Sequence, residues 1–250
     1  MLAHGELRIE PAHEVLAATR RWLGPVRTAL GPEFLSAYLT GSVLTQGFDP
    51  AHSRVNVTII ARTLPIAALD ALAKALPPPG KPPRFEVLLL TRGQIEKSLD
   101  VFPIEWLEIK ERHLLLEGED VLAPIEVPRT WLRLQCEHEL RGKHIQLRQA
   151  YVLSANQPAE LQRVLQTSAS SFAALFRTVL RLRGETPPAE PQRVVERVAE
   201  MFELDAQGLL SAHLVRYASR RHKPAEILPL YRRFLVEIER LIGAIDRLSL

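Results

Sequence analysis

The spacing of apolar residues divides the chain into two halves of different character. In the first half, β-branched and aliphatic runs predict strands at residues 34–39, 55–61 and 85–90, near 106–110, and in a short segment at 114–116. Apolar residues three and four positions apart predict helices at 11–30 and 65–76. Strands separated by helices indicate an α/β layer in which helices pack on a sheet.

After Pro128 the strand signals end, and helical periodicity continues to the C-terminus. Helices are predicted at 130–154 and 158–183, through 194–202, and at about 208–219 and 225–248. Pro229 is expected in the opening turn of the last helix or at its true start. The pattern predicts an α/β domain over residues 1–127, followed by an all-helical bundle over 128–250, with a ligand site in the cleft between them.

Composition is that of an ordinary globular protein, with 46% apolar and 24% charged residues among 250. The first 20 residues lack the continuous apolar core of a signal peptide, and no later run approaches a membrane span, so we expect a cytoplasmic protein without membrane association. The single cysteine, Cys136, excludes internal disulfides and cysteine-based zinc sites. We expect it to be packed in the helical half.

Charge is distributed unevenly between the halves. Residues 1–127 contain 13 Lys and Arg against 16 Asp and Glu, whereas residues 128–250 contain 19 against 13. The basic half is compatible with phosphate or nucleic-acid partners. Its arginines are nevertheless spread along helices beside glutamates, without interleaved aromatic residues, so nucleic-acid binding is not favoured.

One segment of the first half carries candidate chemistry. A strand runs into Gly41-Ser42, and a second strand begins thirteen residues after the glycine, at Ser53-Arg54-Val55-Asn56. Gly41 permits close approach of a ligand, and Ser42 offers a hydroxyl beside backbone amides, which suits a phosphate. On its own the Gly-Ser pair is a weak signal, because it is common in turns.

The segment as a whole resembles the nucleotidyltransferases of the DNA polymerase β superfamily, especially the small bacterial group that includes the aminoglycoside nucleotidyltransferases. In that family Gly-Ser after the first strand binds the nucleoside triphosphate. A Ser-Asp-x-Asp pattern about a dozen residues later and a third carboxylate on a later strand bind metal ions. The resemblance places Arg54 and Asn56 at the two Asp positions and Glu86 at the third, and it implies a C-terminal helical bundle.

The departures from the family pattern bear directly on activity. Two carboxylates at i and i+2 on a strand share one face and can bridge two Mg²⁺ ions. Arg54 instead repels a metal ion, Asn56 offers one neutral oxygen, and Glu86 alone cannot assemble a two-metal site. The substitutions favour a degenerate nucleotidyltransferase that acts as a nucleotide-binding, regulatory or interaction module. No residue is assigned a catalytic or metal-binding role.

Two interpretations of Arg54 remain open. It either pairs with phosphate oxygens in place of the metal, or it pairs with Asp49 or Glu86 and fills a disused cleft. The alternative function is an active enzyme that uses Mg²⁺ and ATP to transfer a nucleoside monophosphate to a small hydroxylated acceptor or a protein, with Glu86 and acids such as Asp49. A homodimer and a purely structural partner role also stay open.

A second cluster, Glu137-His138-Glu139 with Arg141 and His144, contains acid–base side chains within a predicted helix. Glu137, Arg141 and His144 are expected to share one face, with His138 and Glu139 turned away. We interpret this face as ordinary ion pairing. If it instead faced a substrate site, Glu137 or Glu139 would be the candidate base.

Overall fold

The computed structural model describes residues 11–44, 48, 54–76, 83–217 and 223–248. The chain divides into two compact units, Met1–Val127 and Pro128–Leu250. Within the described ranges, no helix is both long enough and apolar enough to cross a membrane.

The N-terminal unit is a four-stranded mixed sheet with helices. Its strands are β1 (Phe34–Thr40), β2 (Arg54–Ala61), β3 (Arg84–Thr91) and β4 (His113–Gly118), and its helices are α1 (His13–Leu30), α2 (Ile66–Ala75), α3 (Arg92–Glu96) and α4 (Pro103–Glu111). The strand order is β3-β2-β1-β4. β2 and β3 are parallel, and β1 is antiparallel to both β2 and β4.

The two faces of the sheet pack differently because side chains alternate along each strand. One face forms a hydrophobic core with α1 and α2; its buried strand residues are Ala37, Leu39, Val55, Val57, Ile59 and Ala61. The other face is covered at one end by a second cluster that includes Tyr38, Ile60, Trp106 and Leu122. The opposite end of that face carries polar side chains and forms the candidate site described below.

The C-terminal unit contains only helices in its described part. These are α5 (Arg129–Ser154), α6 (Pro158–Leu182), α7 (Pro191–Phe202), α8 (Ala206–Tyr217) and α9 (Pro224–Asp246). Proline at the first turn of α6, α7 and α9 suits a position whose N–H has no helical partner. Phe172 packs edge-on against Phe234 at 5.0 Å between ring centroids, which joins α6 to α9 in the core.

The fold class predicted from the sequence is therefore confirmed, with three corrections in detail. Residues 106–110, predicted as a strand, lie in helix α4, which begins at Pro103. Alternating apolar positions in this short segment imitate a strand, and the proline at the first helical position is the opposing signal.

The other two corrections concern α3 and Pro229. The apolar spacing does not predict helix α3, although its capping box is complete: the Thr91 hydroxyl accepts from the Gln94 amide, and the Gln94 side chain accepts from the Thr91 amide. Pro229 is expected in the opening turn of the last helix, but α9 begins at Pro224 and Pro229 lies inside it.

Candidate functional site

The candidate site occupies the end of the sheet where β1 runs into Gly41. Val55 and Val57 of β2 are fully buried on the core face, so Arg54 and Asn56 project from the other face. Phe85 of β3 stacks on Trp22 of α1 at 4.9 Å between ring centroids. This contact holds Phe85 on the core face and directs Glu86 to the side of Arg54 and Asn56.

Strand register aligns four polar residues across the sheet. Asn56 pairs with Glu86 of β3 and with Thr40 of β1, and Thr40 pairs with His113 of β4. The row therefore runs Glu86, Asn56, Thr40 and His113. Two of its members, Asn56 and Glu86, come from the family resemblance, whereas Thr40 and His113 follow only from the register, which the sequence does not reveal.

Gly41 adjoins this row in a conformation that favours glycine. Its φ is +76°, and a Cβ atom placed on it would lie 2.9 Å from Nδ2 of Asn56. The backbone at the Gly-Ser turn thus approaches the Asn56 side chain closely. Ser42, the second residue of the turn, is exposed and lies in a short 3₁₀ turn over Gly41–Leu44.

Arg54 and Glu86 form an ion pair across β2 and β3. The distance from Arg54 Nη1 to Glu86 Oε1 is 3.6 Å, and the two side chains are 65% and 57% exposed. The Glu86 pairing expected in one of the two interpretations of Arg54 is therefore present. An exposed pair of this kind is worth at most about 1 kcal/mol, so it leaves the guanidinium available to a competing anion.

The described residues at this end of the sheet do not bring together the carboxylates of a two-metal centre. Across the described residues, no three His, Cys, Asp or Glu side chains are grouped so that they could hold a metal ion. Of Arg54, Asn56 and Glu86, Glu86 alone carries a carboxylate. The guanidinium of Arg54 lies beside it and repels cations. Asp49 and Ser53 lie outside the described residues.

His113, at the β4 end of the row, is held in place by its neighbours. Its Nδ1 lies 2.8 Å from the carbonyl oxygen of Lys110, and its Nε2 lies 3.5 Å from Oδ2 of Asp120. The ring also packs edge-on against Tyr38. Both ring nitrogens face protein oxygens, so these contacts fix the orientation of the His113 ring at the end of the row.

The Tyr38 hydroxyl forms hydrogen bonds to the backbone of residues 119–121, which follow β4. It donates to the carbonyl oxygen of Glu119 at 2.9 Å and accepts from the amide of Val121 at 2.8 Å. Burial raises the pKa of Tyr38, so the hydroxyl stays protonated and able to donate at neutral pH. This buried anchor explains why residues 119–122 pack against the sheet next to the polar row.

The second predicted cluster, on α5, consists mainly of ion pairs. Glu137 accepts from Arg133 at 2.6 Å, Arg141 donates to Asp246 at 2.6 Å, and Lys143 lies 3.4 Å from Glu139. The prediction of an ordinary ion-paired face is confirmed for Glu137 and Arg141.

His144 differs from that prediction because it is buried, and burial lowers its pKa. Cys136, one helical turn before Leu140, is also fully buried, as expected. Burial raises the pKa of its thiol to about 12, with Glu137 and Glu139 adding to the shift.

The fold of the chain is nucleotidyltransferase-like, with a sheet unit followed by a helical unit. Among solved structures, it is similar to the spectinomycin adenyltransferase of Enterococcus faecialis, crystallised with ATP and spectinomycin. The TM-score is 0.55 at 12% sequence identity, over 94% of this chain and 99% of that one. No family model matches the sequence, and no curated protein sequence is significantly similar to it.

Proposed function

We propose that this chain is a degenerate nucleotidyltransferase-like protein that binds a nucleotide without metal-dependent transfer and serves as a binding or regulatory module. Gly41, Ser42 and Arg54 are the proposed nucleotide-binding residues, and no residue is proposed as catalytic or metal-binding. The observation that carries the proposal is the exposed guanidinium of Arg54 on the same face as Asn56 and Glu86.

The chemistry of the site supports a phosphate ligand. A guanidinium presents a planar fork of donors that matches phosphate oxygens and remains charged at any physiological pH. The turn at Gly41 brings the backbone close to the Asn56 side chain, which projects from the same face of the sheet as Arg54. Glu86 competes with the ligand for Arg54, but their pair is exposed and therefore weak.

Calorimetric titration with ATP and the other nucleoside triphosphates, each with and without Mg²⁺, tests the proposal. We expect binding without Mg²⁺ that is abolished in Arg54→Ala. The matched control is Arg62→Ala, an exposed arginine directly after the other end of β2, which should bind as the wild type does. Equal binding by the Arg54 and Arg62 variants would contradict the proposal.

The alternative is an active enzyme that transfers a nucleoside monophosphate from ATP to a small hydroxylated acceptor or a protein. The likeness of the whole fold to a spectinomycin adenyltransferase and the position of Glu86 beside Asn56 favour it. Binding of ATP only with Mg²⁺, together with pyrophosphate release in the presence of spectinomycin or another hydroxylated acceptor, would establish this function. Binding under neither condition would remove both proposals and leave a structural partner role.

A further inference from the structure

Helix α5 exposes more large apolar side chains than any other described helix of the chain. Of the twelve large apolar side chains exposed among the described residues, five belong to this one helix: Trp131, Leu134, Ile145, Val152 and Leu153. Leu134, Ile145 and Val152 are 70%, 55% and 77% exposed. Eleven and seven positions separate them, close to whole helical turns, so they form one stripe along the outside of α5, which His138 and Arg141 interrupt between Leu134 and Ile145.

Grooves lie on both sides of α5. One, between α5 and α9, has a volume of about 300 Å³ and is lined by Arg141, His144, Ile145, Arg148, Glu239 and Ile242. The other, between α5 and α6, has a volume of about 360 Å³ and includes Leu147, Ala150 and Val164. A helix ridge flanked by grooves has the shape that two copies of the same surface need to interlock.

The α5/α9 groove carries opposite charges on its two walls, so a second copy related by a two-fold axis can place its Glu239 against Arg148. Arg141 is paired with Asp246 of its own chain. Arg148 on α5 and Glu239 on α9 are exposed on opposite walls of the groove, and neither forms an ion pair with another described residue. A two-fold axis makes every contact between the copies occur twice, so Arg148 of each copy can contact Glu239 of the other.

We propose that α5 forms the interface of a homodimer, in which Ile145 packs at the α5/α9 groove of the second copy, Leu134 and Val152 of the stripe are covered on either side of that groove, and Arg148 pairs with Glu239 across the two-fold axis. Burial of the stripe supplies the main driving force, and the paired charges fix the register. The proposal is independent of nucleotide binding, because none of these residues belongs to the Arg54 site.

The first test measures the mass of the full chain in solution by analytical ultracentrifugation. We expect a dimer whose dissociation constant rises about tenfold or more in Ile145→Asp, since a charge would be buried against apolar surface. The matched control is Ile66→Asp, an exposed isoleucine on α2, which should remain dimeric. Circular dichroism establishes that both variants are folded.

The second test uses charge reversal. Arg148→Glu and Glu239→Arg should each dissociate the dimer, because each brings two like charges together at both contacts. A mixture of the two variants should form a heterodimer, since every contact then joins opposite charges. A monomeric wild type, a dimer insensitive to Ile145→Asp, or a mixture that stays monomeric would overturn the proposal.

Discussion

At the scale of single residues, the contact between Arg54 and Glu86 governs how the candidate site treats an anion. Glu86 Oε1 lies 3.6 Å from Nη1 of Arg54, and its carboxylate adds a negative charge where phosphate oxygens are proposed to lie. Glu86→Gln removes that charge while keeping the side-chain shape. We expect metal-free ATP binding to strengthen about twofold to fivefold, in line with the worth of an exposed ion pair.

Calorimetry on Glu86→Gln beside Glu96→Gln, an exposed glutamate of α3, checks this expectation. The Glu96 variant should match the wild type. Weaker binding in Glu86→Gln would mean that the carboxylate contacts the ligand directly, which is the behaviour expected of the active-enzyme alternative.

Cys136 shows how burial alone sets the chemistry of a residue. Its thiol is fully buried, and its pKa is raised to about 12, mainly by desolvation. At pH 8 the thiol is therefore almost entirely protonated in the folded protein, and the thiolate is the reactive form. We expect a disulfide reagent to leave native Cys136 unmodified at pH 8 and to react rapidly once denaturant is added. Comparable rates in both conditions would show that the helical core opens readily.

At the scale of elements, Asp205 connects the start of α8 to α9. Its carboxylate accepts from the amide of Gln207 at 3.0 Å, as a helix N-cap does, and from Arg233 at 2.7 Å. Asp205→Ala should lower the free energy of unfolding by about 1 kcal/mol at neutral pH. Asp70→Ala, at an exposed position on α2, should change it by less than about 0.5 kcal/mol.

The loss in Asp205→Ala should depend on pH. Hydrogen bonds from Arg233 lower the pKa of Asp205 below its ordinary value of 3.8, so the folded state binds this proton less tightly than the unfolded chain. The carboxylate therefore contributes stability above that ordinary value, and the contribution is lost as the pH falls through the folded pKa. Denaturant titrations at several pH values would show the gap between wild type and variant closing in acid. A gap that widens in acid would contradict the assigned role.

Elements with strong periodicity could be predicted from the sequence, whereas those that depend on context could not. The Val55 to Ile59 alternation identifies β2, and the regular apolar spacing of α9 identifies the last helix. Residues 106–110 of helix α4 predict a strand because Leu107 and Ile109 alternate with Glu108 and Lys110, and the apolar residues of the helix show no clear helical face. Helix α3 has only five residues, too few for a periodic signal.

The candidate site was predictable to a similar degree. The family resemblance places Gly41, Asn56 and Glu86 together, and strand alternation puts Arg54 and Asn56 on one face. The pairing of Thr40 with His113 depends on register between β1 and β4, which includes an irregularity between Ala37 and Tyr38. Register of this kind is set by packing along whole strands and not by the sequence of one segment.

At the scale of the whole molecule, the helical unit has the properties of an independently folding domain. Its core is built from its own helices: Phe172 contacts both Phe176 and Phe234, and the Tyr231 hydroxyl donates to the carbonyl oxygen of Leu147 at 2.8 Å. Helices α5 to α9 include the fully buried Leu161, Val194 and Ile238. A segment of this size with a continuous apolar core is expected to fold by itself.

We therefore expect residues 128–250, expressed alone, to give a helical circular dichroism spectrum and one cooperative thermal transition. Phe234→Ala should lower the free energy of unfolding of this fragment by about 3–5 kcal/mol, because this ring of α9 is fully buried and packs against Phe172 of α6. The same substitution in the full chain should destabilise the helical unit and leave the Arg54 site able to bind ATP, if the two units fold separately. A fragment without a cooperative transition, or loss of ATP binding in the full-length variant, would show that each unit depends on the other.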